Sequence, residues 1–98
     1  MITDSGNIYT GCNIENASYP ATVCGEDVAI FKAISEGETK IDTIAVACID
    51  AENDTAIFPC GISRQRMSEF NTENVIVVYN GEIKKYKFEE GCPFDFKF

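Results

Sequence analysis

Two stretches of the chain are almost continuously apolar and rich in β-branched residues, over positions 41–49 and 74–79. That pattern predicts strands covered on both faces. Two other stretches repeat at helical spacing. Over 24–36, Val28, Phe31, Ala33 and Ile34 supply an apolar face, with Thr22 placed to cap the helix and Gly37 to end it. The second helix is predicted over 60–70, with Pro59 just ahead of it, where a proline does not break the turn. Asn80-Gly81 is a strong hairpin signal, which makes 82–88 the partner of the preceding strand. Residues 7–12 have strand composition after the turn signal Asp4-Ser5-Gly6, while 13–20 fit neither period and read as an exposed loop. Asn53-Asp54 marks a turn, 55–58 a short strand or extended loop, and the aromatic tail 91–98 a segment that packs down. There is no repeat, linker or low-complexity segment. The order of elements predicts one α/β domain over 1–98, a sheet covered by helices.

Composition narrows the function classes. Hydrophobic residues make up 45% of the 98, which suits a folded domain. A net charge of −8 argues against nucleic-acid backbones and anionic membranes as partners, because phosphate binding needs lysine and arginine. No apolar run approaches the roughly 20 residues of a membrane span, and the first residues lack the basic and apolar regions of a signal peptide. The expected location is cytoplasmic. Five cysteines cannot all pair within one chain, and in a reducing compartment they read as core residues or metal ligands. Histidine is absent, which excludes Ser-His-Asp and Cys-His catalysis and leaves any metal to sulfur and oxygen donors.

The candidate chemistry lies at the starts of the two helices. Cys24 and Cys60 stand where unpaired backbone N–H groups and the helix dipole favour thiolate. Thiolates are good zinc ligands, and a catalytic zinc keeps three protein ligands with one position open for water. Glu26, two residues beyond Cys24, is placed to take a proton from that water and pass it to a departing amine. Each residue alone reads more readily as a buried thiol or an ordinary first-turn glutamate. Their combination with the proline and two helix starts favours the metal site. Cys12, Cys48 and Cys92 lack such a context and are expected in or near the core.

The text Gly11-Cys12-Asn13-Ile14-Glu15-Asn16-Ala17-Ser18-Tyr19, then Thr22-Val23-Cys24-Gly25-Glu26, then Pro59-Cys60-Gly61-Ile62-Ser63-Arg64-Gln65 resembles the small cytidine deaminases. The likeness runs from about residue 6 to residue 79. It implies a layered α/β fold with a mixed sheet and zinc-dependent hydrolytic deamination of cytidine or deoxycytidine in pyrimidine salvage. It also implies a homo-oligomer whose sites are completed by neighbouring subunits. Residue by residue, it implies Cys24, Cys60 and the position of Ser63 as metal ligands and Glu26 as proton shuttle. Asn13 and Glu15 would hydrogen-bond the ribose hydroxyls, Ala17 would offer its backbone to the pyrimidine edge, and Tyr19 would lie near the nucleoside.

Three features depart from the family pattern. Ser63 stands where the family has a third cysteine, and a neutral hydroxyl is a far poorer zinc ligand than a thiolate. Asp27 stands where the family usually carries arginine; with one thiolate fewer the site is less negative, so the two changes are electrostatically compatible. The family's first helix and strand, which precede the region of Gly6, are not represented. These departures keep a second reading open, a catalytically inactive nucleoside-binding or assembly module on the same fold. A third is a scaffold in which zinc only ties the two helix starts together.

Overall fold

The structure is a computed structural model and describes residues 1–48 and 57–91. Its frame is a four-stranded mixed sheet: β1 (Ile2–Thr3), β2 (Ile41–Ala47), β3 (Asn74–Tyr79) and β4 (Glu82–Lys87), in that order across the sheet. β2 and β3 run parallel, with Ile44 opposite Val75 and Val46 opposite Val77, while β1 and β4 are antiparallel to their neighbours. A parallel pair needs a crossover, and helix α2 (Gly61–Glu69) lies in the segment that supplies it. Helix α1 (Gly25–Ser35) packs against β2 and α2. The core consists of Ile30, Ile41, Ile44, Ile57, Met67, Val75, Val77 and Phe88.

The helix ends follow from their residues. α1 closes with Gly37 at φ +101°, the Gly37 N–H bonding the Ile34 carbonyl and the Glu38 N–H that of Ala33. α2 closes in the same way on Asn71 at φ +52°, a left-handed position that asparagine tolerates better than most residues. The Asn80-Gly81 turn has positive φ at both residues, as a tight type I′ hairpin requires.

Several expectations need correction. Residues 7–12 do not form a strand; only Ile8 bridges, to Ile2, and Tyr9 exchanges bonds with Met1. β2 is not buried on both faces along its length: Ala45 and Ala47, and Cys48 just beyond the strand, are exposed. The buried side of α1 is Ala29, Ile30 and Ala33, and Phe31 points outward. Thr22 makes no capping bond to α1. A one-turn helix, α3 (Phe88–Gly91), carries the buried Phe88 and has no sequence signal behind it. The expected turn at Asn53-Asp54, the segment 55–56 and the tail with Cys92 lie outside the described residues.

Candidate active site

The uncovered end of β2 forms one wall of a cavity of about 460 Å³. Its other walls are the start of α1, the start of α2 and the chain at 11–13. Cys24 and Cys60 are the residues immediately preceding the two helices, and both line the cavity together with Glu26 and Asn13. Ser63 sits beneath this surface with no exposure, its Oγ 3.6 Å from Cys60 Sγ. The sequence therefore brings five of its candidate residues to one place. Glu15, Ala17 and Tyr19 are on the exposed loop that leaves the cavity at Asn13, and Tyr19 is 85% exposed. They do not line the cavity wall.

Backbone contact fixes the entrance. A side chain on Gly11 would collide with the Gly25 carbonyl and with the Ala29 nitrogen, so the chain at 11 can lie directly on the first turn of α1 only as glycine. From that position Asn13 Oδ1 accepts the Gly25 N–H at 2.7 Å, satisfying one of the helix's unpaired donors. Its amide Nδ2 is left as the hydrogen-bonding end of the side chain that can address another group.

The two thiols are not equivalent. The first backbone N–H groups of α2, chiefly that of Ser63 and also that of Ile62, lower the Cys60 thiol from its ordinary value against the opposing effect of burial. Burial raises the Cys24 thiol, and the neighbouring charges of Glu26, Cys60 and Asp27 push the same way. The helix-start argument thus holds for Cys60. At Cys24 desolvation and crowded negative charge win.

Asp27 departs furthest from its sequence reading. Its side chain is buried, and Oδ2 accepts hydrogen bonds from Ser63 Oγ at 2.9 Å and from Arg66 Nη1 at 2.7 Å. The two positions that depart from the family pattern are therefore in direct contact. A cation stands beside them, brought by α2 rather than by position 27. Arg66 also lies over the Phe31 ring, 5.0 Å from its centroid, which gives the outward-facing phenylalanine its partner.

The donors beside the cavity fit zinc in kind, two thiols and an oxygen. Among the described residues no three Cys, Asp or Glu side chains group closely enough to hold a metal ion, and the oxygen nearest Cys60 Sγ that the structure records is the Ser63 hydroxyl, at 3.6 Å. Sequence reasoning missed Cys12 and Cys48, which are exposed and line the cavity instead of joining the core. It also missed Ala45, Ala47, Ile57 and Phe58 as lining residues. Only the open edge of β2 reveals them, and no local pattern in the sequence announces an open edge.

A thiol-lined cavity at the starts of two helices, with a carboxylate two residues past one thiol, resembles the arrangement that zinc-dependent nucleobase deaminases use. The comparisons agree. The family model of the cytidine and deoxycytidylate deaminase zinc-binding region matches residues 1–79, and the chain belongs to that family. It is 41% identical over 70 residues to a cytidine deaminase of Sporosarcina psychrophila, covering 71% of this chain and 49% of that protein. It is 36% identical over 96 residues to a cytidine deaminase of Halalkalibacterium halodurans, covering 95% of this chain and 70% of the relative. The crystal structure of a cytidine deaminase from Burkholderia pseudomallei superposes with a TM-score of 0.83 at 31% identity, over 97% of this chain and 76% of that one. The chain thus spans about half the length of the first of these relatives. Its layered α/β fold is that of the cytidine deaminases. No helix among the described residues is long and apolar enough to cross a membrane.

Proposed function

We propose that this chain, as one domain, converts cytidine or deoxycytidine and water into the uridine counterpart and ammonia, in the cytoplasm, as a step of pyrimidine salvage. The observation that carries the reading is the position of Glu26 on the cavity wall, beside Cys24 and Cys60. Cys24, Cys60 and Ser63 would hold zinc, which would supply the Lewis acidity that makes water reactive at neutral pH. Glu26 moves a proton from that water to the leaving amine and stays off the metal. Asn13 donates its amide N–H to a ribose hydroxyl, its carbonyl oxygen being engaged by Gly25. Glu15 accepts from the second hydroxyl, Ala17 offers its backbone to the pyrimidine edge and Tyr19 borders the nucleoside. These three stand on the exposed loop, a place suited to closing over a ligand and to meeting another copy in a homo-oligomer.

One observation favours a second reading, a nucleoside-binding or assembly module without turnover: the third thiol of the pattern is a serine. Steady-state kinetics with cytidine separates the two. The deaminase reading expects Asn13→Ala and Glu15→Ala to raise KM by about tenfold each, for the loss of one hydrogen bond worth about 1–1.5 kcal/mol. Zinc-loaded parent protein that binds cytidine but releases no uridine would establish the module instead.

A further inference from the structure

A carboxylate is expensive to bury unless its oxygens are met by donors. Asp27 is 2% exposed, and only one of its oxygens is met: Oδ1 has no hydrogen-bond partner among the described residues. Its Oδ2 receives both available donors, Ser63 and Arg66. A buried polar atom left in this condition in a native fold calls for a functional explanation. The geometry around Ser63 provides one.

A hydroxyl has a single proton and two lone pairs. Ser63 donates its proton to Asp27, so its lone pairs are free for the side on which Cys60 Sγ lies, 3.6 Å away. An oxygen oriented in this way presents electron pairs, not a proton, to the side on which Cys60 Sγ lies. A carboxylate behind a metal-ligating group fixes its orientation and makes it a stronger donor.

We propose that Asp27 is a positioning residue that turns the Ser63 hydroxyl into the third protein donor for the metal, with Arg66 holding Asp27 in place. Asp27 itself does not line the cavity and would stay off the metal. The proposal rests on the reading that this site takes zinc.

The test is zinc affinity, measured on the full chain by competition with a chromophoric chelator, with folding checked by circular dichroism in the metal-free state. Asp27→Asn is expected to weaken zinc binding about 10- to 100-fold, the usual consequence of removing such a partner, and Ser63→Ala to weaken it at least as much. Ser63→Cys should bind zinc at least as tightly as the parent, because a thiolate needs no proton acceptor behind it. In that Ser63→Cys background, Asp27→Asn should change the affinity less than about threefold, an outcome that general destabilisation would not give. Zinc binding unchanged by Ser63→Ala, or an Asp27→Asn effect equally large with cysteine at 63, would overturn the proposal. Should Asp27→Asn fail to fold, the contrast between Ser63→Ala and Ser63→Cys decides alone: weakened against undiminished binding supports it, and equal binding overturns it. Zinc bound through Ser63 in a protein that makes no uridine would sink the deaminase reading and leave this one standing. A parent protein that takes up no zinc at all would remove both.

Discussion

Replacing Arg66 by alanine leaves the buried Asp27 carboxylate with one donor, Ser63, in place of two. A charge-assisted hydrogen bond to a buried carboxylate contributes about 1.5–3 kcal/mol. The guanidinium over Phe31 adds about 0.5–1 kcal/mol. The Arg66 side chain is 39% exposed, so water screens the pair in the folded protein and enters to solvate what remains. The lower half of each range applies, and the expected loss is about 2 kcal/mol. Equilibrium urea unfolding at pH 7 in the presence of a chelator measures it apart from metal binding. With a urea slope of about 1 kcal/mol/M for a small domain, the midpoint should fall by about 2 M. Asp27→Ala/Arg66→Ala removes the buried charge along with its partner and should cost at least about 1 kcal/mol less than the sum of the two single changes. An Arg66→Ala midpoint within about 0.5 M of the parent, or strict additivity in the double variant, would refute the claim that this pair neutralises a buried charge.

Two further perturbations address the parts that shape the cavity. Gly11→Ala places a methyl group against the backbone of Gly25 and Ala29, where no flexible side chain can yield; a cost of about 2 kcal/mol should lower Tm by about 8 °C or more, and an unchanged Tm would show that the chain at 11 does not rest on α1. At the other end of α1, Glu38 accepts hydrogen bonds from Ser5, Asn7 and Tyr9 and so ties the N-terminal hairpin down. Chiefly the bond from Ser5, then that from Asn7, draws its carboxyl below the ordinary value of 4.5. Because the folded value is the lower one, this stabilisation is complete above about pH 4.5 and is lost as pH falls through the folded value. Tm measured from pH 6 down to pH 3 should therefore drop less steeply in Glu38→Gln than in the parent, and equal acid slopes would contradict the latch.

Much of the frame was legible because it is encoded locally. The β-branched run at 74–79 is β3 residue for residue, and Asn80-Gly81 makes the turn its two residues demand. The helix starts at Cys24 and Cys60 could be read from the residues around them, and so could their convergence with Glu26. What escaped depends on contacts between distant segments. Asp27 and Arg66 are 39 positions apart on different helices, and no periodicity reports that they meet. Phe31 fits an apolar helical stripe but faces outward under Arg66, because the buried side of α1 runs through Ala29, Ile30 and Ala33. Cys48 lies in a run that looks covered on both faces, yet it is exposed on the cavity wall. Helix-start reasoning gave the two thiols one behaviour, but the backbone N–H groups of Ser63 and Ile62 reach Cys60, while burial and neighbouring negative charge prevail at Cys24.

The most direct measurement is uridine formation from cytidine by zinc-supplemented protein, set beside Glu26→Gln prepared identically, with the zinc content of both determined. The substitution keeps the shape of the side chain and removes its capacity to carry a proton. The rate should fall at least about 100-fold, the lower end of what positioned proton transfer contributes, while zinc per chain stays the same. Equal rates in the two proteins, or no uridine from a zinc-loaded parent, would contradict Glu26 as the proton carrier of a working deaminase.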